Sequence, residues 1–148
     1  MEQIKEYWAE DMNWLVPGHN TLSGWYHGRD EFLAFMGRVG ALSNNSFYME
    51  SIAVTTSDEY SADVTRNVGY RSARVTAMGL TEPDDSGEAP YMKLDIDVVH
   101  VLRWRDGKVI EGRGAIFGDG TTEYDHFWSP LSPGGERIRA NTQSPSES

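Results

Sequence analysis

The chain has 148 residues, contains no Cys and carries a formal net charge of -10 at pH 7, with a sequence pI of about 4.7. This charge argues against nucleic acid and anionic membrane surfaces as partners, because both are bound by clustered Lys and Arg. The length favours one domain, and 11% aromatic residues can supply a substantial core.

The absence of Cys removes disulfides, thiol nucleophiles and Cys-ligated metal from the possible chemistry. It fits a reducing compartment, and the segment MEQIKEYWAEDMNW lacks the apolar run of a signal peptide, so we expect a cytoplasmic protein. The sequence contains no run of about 18 apolar residues, so we expect no membrane helix. We expect no cofactor and no metal, because His19 and His27 lack a carboxylate or Cys partner at ligand spacing.

The first forty residues mix helical and extended patterns. Residues 2–9 predict a short helix, and residues 13–16 predict a short strand that ends at a Pro-Gly pair. The segment 17–28, PGHNTLSGWYHG, is typical of a loop. Apolar side chains then recur at helical spacing, which predicts a helix over about residues 30–42.

From residue 47 onward the apolar period changes to that of strands, predicted over 47–56, 63–78, 91–104 and 108–117. Short helices followed by long antiparallel strands predict an α+β fold, with helices on one face of a curved sheet. We expect the final Phe127-Trp128 pair at the end of the last strand. Residues 129–148, SPLSPGGERIRANTQSPSES, predict a disordered tail, so the folded domain should span residues 1–128.

The strand over 91–104 holds one His in an apolar row. Side chains at alternate positions share a face of the sheet, and here they are Leu94, Ile96, Val98, His100, Leu102 and Trp104. His100 is therefore either a packed core residue or a group that faces a pocket. Burial would favour the neutral imidazole, which can accept a proton from a substrate or donate a hydrogen bond to it.

Three segments in this order, PGHNTLSGWYHGRDEF, VVHVLRWRDGKVIEGR and DGTTEYDHFW, resemble the SnoaL-like branch of the NTF2-like superfamily over roughly residues 8–128. The resemblance implies a cone-shaped α+β fold, in which a bent mixed sheet wraps helices around a deep apolar pocket. It also implies a homodimer formed through the outer sheet face. Members of the superfamily include polyketide cyclases, isomerases and hydrolases.

The resemblance also implies a catalytic His paired with an Asp on the next strand, as in SnoaL-like cyclases. His100 stands at the position of that His, but the Asp position falls on Gly114. The hairpin Asp of the related epoxide hydrolases falls on the same glycine, and their Arg-x-Asp triplet is missing from NVGYRSARV. This chain therefore lacks some of the catalytic residues that the resemblance implies for the cyclases and for the epoxide hydrolases.

The glycines of the last strand have two readings. Gly114 is expected to enlarge the pocket beside His100, whereas Gly118 is expected to form a bulge that bends the strand. Such a bulge would turn Asp119 inward as a replacement acid or base. Without it, Asp119 is a turn residue at the strand end.

The leading hypothesis is a pocket enzyme that cyclises or isomerises a hydrophobic, polyketide-like substrate in secondary metabolism, with His100 and Asp119 as catalytic residues. The predicted substrate contacts are Trp14, Tyr26, Val98, Trp104, Gly114 and Ile116. The alternative is a non-catalytic ligand-binding or dimerisation protein on the same fold, which Gly114 in place of an Asp favours.

The sequence also bears on which side chains of two predicted strands point outward and which point inward. Asp95 and Asp97 should point outward to solvent or a dimer partner, where they can pair with Arg71 or Arg74. For the strand over 63–78, either Tyr70, Ser72 and Arg74 face inside, or Arg71, Ala73 and Val75 do.

Overall fold

The computed structural model describes residues 6–72, 91–118 and 120–129. Within them lie six strands: β1 (Trp8–Val16), β2 (Gly24–His27), β3 (Tyr48–Thr56), β4 (Tyr60–Ser72), β5 (Tyr91–Arg105) and β6 (Lys108–Ile116). There are also two complete helices, α1 (Arg29–Leu42) and α2 (Gly120–Trp128). The strands form one sheet in the order β2-β1-β6-β5-β4-β3, which is mixed because β1 and β6 are parallel and the other neighbours antiparallel.

The N-terminal region differs from the prediction. β1 begins at Trp8, so the helix predicted over 2–9 is wrong for its last two residues. The strand predicted over 13–16 begins five residues earlier than expected. The physical reason is alternation, because Met12, Trp14 and Val16 all point into the core while β6 supplies backbone partners. The predicted loop over 17–28 contains β2, which pairs with β1. Residues 2–5 lie outside the described part of the chain.

Helix α1 confirms the prediction over 30–42 and covers the β1–β2 end of the sheet. Its apolar stripe packs on the core through Phe32, Phe35, Val39 and Leu42. The first turn is stabilised by Glu31, whose carboxylate accepts a hydrogen bond of 2.6 Å from the backbone N–H of His27. At the other end the Ser43 hydroxyl donates to the Val39 carbonyl over 2.7 Å.

Strands β4 and β5 pair along the whole length of β4, which starts at Tyr60 rather than at residue 63. The inner face of β4 carries Asp63, Thr65, Asn67, Gly69 and Arg71. Arg71 is only 1% exposed, so the alternative with Arg71 inside is correct. Residues 73–78 of the predicted strand lie outside the described residues.

The outward orientation of Asp95 and Asp97 is confirmed, since Asp97 is exposed and Asp95 lies among charged groups of the outer face. The partner of Asp95 is Arg66, which makes two hydrogen bonds of 2.8 and 2.7 Å to its carboxylate. Arg71, the partner suggested by the sequence, is buried on the other face. Arg74 lies outside the described part of the chain.

The segment after β6 is a helix, so the expected strand ending in Phe127 and Trp128 is wrong. β6 ends at Ile116, and Gly118 turns the chain with a φ of 54°, so this glycine lies in a turn and forms no bulge. Helix α2 then buries Phe127 and Trp128 against the sheet. The Arg71 guanidinium donates to the Phe127 carbonyl over 2.5 Å, which satisfies one of the open acceptors at the end of the helix.

Ser129 continues from α2, is buried, and donates its backbone N–H to the Asp125 carbonyl. The remainder of the predicted tail, residues 130–148, lies outside the described residues. Among the residues that are described, no helix is long and apolar enough to cross a membrane.

Gly112 offers a test of the core packing, because a Cβ at this position would overlap the six-membered ring of Trp14. We expect Gly112→Ala to displace the indole and lower the free energy of unfolding by about 1–3 kcal/mol. The matched control is Gly37→Ala in α1, where a Cβ meets nothing within 4 Å. The control should raise stability by roughly 0.5–1 kcal/mol, since Ala is the better helix former. Urea unfolding measures both, and similar effects of the two substitutions would contradict this packing.

Candidate functional site

A cavity of about 600 Å³ lies between the concave face of the sheet and the helices. Most of its lining is apolar, and its Trp, Phe and Tyr residues are Trp8, Trp14, Phe32, Phe35, Phe47, Tyr48, Tyr124 and Trp128. Cavities of this size and lining are typical of sites for small organic ligands.

One wall of the cavity is polar. Asp63, Thr65 and Asn67 occupy successive inner positions of β4, and all three line the cavity. The Thr65 hydroxyl donates to the Val98 carbonyl over 3.2 Å and accepts a hydrogen bond of 2.8 Å from Asn67 Nδ2. Thr65 and Asn67 are each only 3% exposed, and these bonds satisfy polar groups that burial removes from water.

His100 lies directly opposite Asp63 in the β4–β5 pair, and both residues line the cavity. Side chains that oppose each other on antiparallel strands have Cβ atoms about 4.5–5.5 Å apart, so the carboxylate and the imidazole are neighbours. Asp63 is oriented from its other side by Ser51, whose hydroxyl donates to Asp63 Oδ1 over 2.8 Å. Among the described residues, no direct hydrogen bond joins Asp63 to His100.

The surroundings of His100 favour its neutral form. Its ring stacks on the Trp14 indole, with 5.4 Å between ring centroids and 25° between planes. Burial lowers the pKa of His100 below its ordinary value of 6.5, and the negative charge of Asp63 acts in the opposite direction. The imidazole is therefore neutral at pH 7 and can accept a proton.

Of the residues proposed from the sequence, the structure brings Trp14 and His100 together in the cavity lining. The other predicted contacts are not among the lining residues: Tyr26, Val98, Trp104, Gly114 and Ile116. The Tyr26 hydroxyl donates to the Leu22 carbonyl over 2.6 Å, and Trp104 Nε1 donates to Ser61 Oγ over 2.9 Å. Val98 and Ile116 oppose each other in the β5–β6 pair, where they pack in the core.

Gly114 stands opposite His100 on β6, as the hairpin predicted, but it does not enlarge the pocket. A Cβ on Gly114 would lie 2.9 Å from Pro17 Cδ and 3.5 Å from His100 Cδ2. The expected space is therefore filled by the Pro17 ring, and the glycine permits this close approach. Asp119 lies outside the described residues, so its catalytic role stays a prediction.

The sequence reasoning missed Asp63, the carboxylate that does accompany His100. Its signal was available, because Asp63, Thr65 and Asn67 alternate in a predicted strand and so place three polar groups on one face. What was undetermined was whether this face points inward. Within residues 6–72, 91–118 and 120–129, no group of three or more His, Cys, Asp or Glu is arranged to hold a metal ion.

The contact between Asp63 and His100 predicts a pH response. His100 should titrate with a midpoint below 6.5, and Asp63→Asn should lower this pKa further, because the charge that favours the imidazolium is removed. As the pH falls below 6.5, His100 is protonated in the unfolded chain before it is protonated in the folded protein. The contribution of neutral His100 to the free energy of unfolding is therefore complete above pH 6.5 and declines below it. NMR titration of the imidazole measures the pKa. Asp97→Asn on the outer face is the control, and an equal shift there, or a rise in Asp63→Asn, would contradict the pairing.

Comparisons with known proteins agree with this architecture. The family model of the SnoaL-like domain matches residues 1–112. A search of the curated proteins found no match. Bal32a, from a soil-derived mobile gene cassette, is 25% identical and has a TM-score of 0.68, with 86% of this chain and 83% of that chain covered.

Two more distant structures share the fold. IdmH, a putative polyketide cyclase from Streptomyces antibioticus, is 17% identical, with 84% of each chain covered and a TM-score of 0.59. An NTF2-like protein from Anabaena variabilis is 16% identical, with 81% of this chain and 76% of that chain covered and a TM-score of 0.56. The predicted NTF2-like α+β cone is thereby confirmed, and the chain belongs to the SnoaL-like domain family.

Proposed function

We propose that the chain is a small-molecule enzyme that cyclises or isomerises a hydrophobic, polyketide-like substrate. The observation that carries this proposal is the pairing of neutral His100 with Asp63 on the wall of an otherwise apolar cavity of about 600 Å³. A buried base beside a carboxylate is a typical arrangement for proton transfer in a site that excludes water. The SnoaL-like family and the fold shared with IdmH support the substrate class.

The proposed reaction begins at a carbon whose C–H bond is made acidic by a carbonyl group of the substrate, either next to it or conjugated with it through an aromatic ring. Neutral His100 removes a proton from this carbon and becomes an imidazolium, while the electron pair of the C–H bond forms an enolate. In an isomerisation the imidazolium returns the proton to another carbon. In a cyclisation the enolate carbon attacks a second carbonyl, and the imidazolium protonates the alkoxide that forms. Neither route changes the oxidation state of the substrate, so the proposal needs no cofactor.

Asp63 and Trp14 assist His100 in different ways. The Asp63 carboxylate stabilises the positive charge that develops on the imidazole during proton transfer. The hydroxyl of Ser51 donates a hydrogen bond to this carboxylate and so limits its orientation. The Trp14 indole stacks on the imidazole and limits its orientation, which is the kind of preorganisation that lowers the barrier of a positioned reaction. Asp119 stays a predicted assisting residue.

We also propose that the protein acts in the cytoplasm, because a chain without Cys has no need of an oxidising compartment.

Anthrone, a tricyclic ketone with acidic C–H bonds, tests proton transfer directly. We expect the protein to accelerate exchange of these hydrogens for deuterium, measured by NMR in deuterated buffer. His100→Gln should reduce the accelerated rate by about 10²–10⁴-fold, because the base is lost. Asp63→Asn should reduce it by roughly tenfold, because the imidazolium loses its counter-charge. Asp97→Asn on the outer face should leave it unchanged.

Full exchange activity in folded His100→Gln would exclude His100 as the base. If anthrone binds to the cavity and its exchange is not accelerated, the alternative holds, and the chain is a ligand-binding protein. That alternative is favoured by Gly114, which stands opposite His100 where the resemblance to SnoaL-like cyclases implied an Asp.

We also propose that the chain forms a homodimer, and β3 is the surface that supports this. β3 is an edge strand, and every one of its nine residues is exposed. Its large exposed side chains are Tyr48, Met49, Ile52 and Val54, and its single charged residue is Glu50. Long apolar edges with few charges and no Pro tend to pair with another strand. Antiparallel pairing of two copies about Ile52 would place Glu50 opposite Val54, so that no like charges meet.

Lysine substitutions on β3 test the dimer. We expect the protein to elute with twice the 16.6 kDa mass of one chain in light-scattering chromatography. Ile52→Lys combined with Val54→Lys should shift it to the monomer, because charges on an edge strand oppose pairing. Phe117→Lys is the control, since Phe117 is 52% exposed and lies outside β3. A monomeric wild-type chain, or a dimer that survives the β3 substitutions, would contradict this interface.

A further inference from the structure

The carbonyl oxygen of the Asn67 side chain is an unused hydrogen-bond acceptor in the cavity lining. Asn67 is 3% exposed, occupies an inner position of β4 and lines the cavity. Its amide donates through Nδ2 to the Thr65 hydroxyl over 2.8 Å and to the Thr65 carbonyl over 3.3 Å. Within the described part of the chain no donor reaches Oδ1, so this oxygen is available to a ligand.

The neighbouring bonds determine which end of the Asn67 amide is the acceptor. The Thr65 hydroxyl gives its single proton to the Val98 carbonyl over 3.2 Å, so it offers only lone pairs to Asn67. An amide turned by half a rotation would bring Oδ1 against these lone pairs and against the Thr65 carbonyl, which repel it. Nδ2 therefore stays on the Thr65 side, and Oδ1 is held in place before a ligand binds.

Asn67 Oδ1 also keeps accessible surface. Among the described residues, the fully buried side-chain N and O atoms that lack a hydrogen-bond partner are both nitrogens, on Arg103 and Trp128. Oδ1 lacks a partner and is not one of these sealed atoms, so it contacts open space, which beside Asn67 is the cavity. A ligand that displaces water there must supply a donor or leave the oxygen unpaired, at a cost of about 1–3 kcal/mol.

Asn67 lies at a defined distance from the proposed acid–base pair. Asp63 is four residues earlier on the same concave face, which corresponds to about 13 Å along the strand and to less at the side-chain ends. Asp63 accepts from Ser51 through Oδ1 and keeps Oδ2 as a further acceptor. Hydrogen bonds of about 2.8 Å from both residues reach donor atoms roughly 8–12 Å apart. A ligand that satisfies both residues therefore carries a donor at each end of a body the length of biphenyl.

We propose that Asn67 is a specificity-determining residue, which accepts a hydrogen bond from a hydroxyl or N–H group at the end of the substrate remote from the reacting carbon. This inference rests on the proposed function, because that function places the reacting carbon beside His100. It adds a requirement that the apolar lining does not impose. A carbonyl or ether oxygen at the same end of the substrate is disfavoured, because two acceptors then face each other.

Two probes of similar shape test the inference: 4,4′-dihydroxybiphenyl, which has a donor at each end, and 4-hydroxybiphenyl, which has one. Calorimetric titration gives the ratio of their dissociation constants. We expect the wild-type protein to prefer the diol by about two- to tenfold, which corresponds to one hydrogen bond. Asn67→Leu should bind the two probes with similar affinity. Val39→Ala is the control, since it trims the apolar lining and should weaken both probes without changing their ratio.

The assigned Cγ signal of Asn67 in wild-type NMR spectra keeps the inference testable where Asn67→Leu fails to fold. This signal should move downfield with 4,4′-dihydroxybiphenyl, because the carbonyl accepts a hydrogen bond, and not with 4,4′-dimethoxybiphenyl, which has no donor.

The role of Asn67 is overturned if folded Asn67→Leu keeps the preference for the diol, or if the wild-type protein shows no preference or binds neither biphenyl. An equal response of the Cγ signal to the diol and the dimethyl ether also overturns it. Anthrone separates these results from the proposed function, because as a ketone it has no hydroxyl or N–H group. Accelerated anthrone exchange together with any of them leaves the proposed function intact, whereas loss of the exchange as well removes both.

Discussion

The antiparallel pairing of β4 with β5 is the constraint on which the site depends. Its register places Asp63 opposite His100, and a slip of one residue would turn either side chain to the outer face. The same strand carries Arg71 on its inner face, where the guanidinium holds the C-terminal end of α2. One strand therefore positions the polar wall of the cavity and, eight residues later, the helix that brings Trp128 to the cavity lining.

The apolar half of the site follows from close aromatic packing. Gly112 makes room for the Trp14 indole, which then stacks on His100, and Pro17 fills the space over Gly114. These contacts withdraw the imidazole from water and lower its pKa, while the negative charge of Asp63 favours the imidazolium. In the reaction that we propose, these two opposing influences let neutral His100 accept a proton and hold it as the imidazolium.

The strand-rich half of the fold and the position of His100 could be predicted from alternation and from the short turn between β5 and β6. That turn sets the register, so Gly114 was correctly placed opposite His100. Asp63 could not be assigned, because the connection between β4 and β5 is long and leaves their register undetermined by local geometry. Helix α2 was missed because its Thr, Tyr, Phe and Trp residues favour strands, and its stability comes from tertiary contacts such as those of Arg71. The strand predicted for β1 was too short for a related reason, since the parallel pairing of β1 with β6 cannot be inferred from residues close in sequence.

We propose that Asp63 and His100 face the bound substrate. A crystal structure of the protein soaked with a hydroxyanthraquinone tests this most directly. We expect the ligand to occupy the cavity with a hydroxyl group about 2.6–3.2 Å from a side-chain atom of Asp63 or His100. A ligand bound only on the outer face of the sheet, or one in the cavity that contacts neither residue, would contradict it.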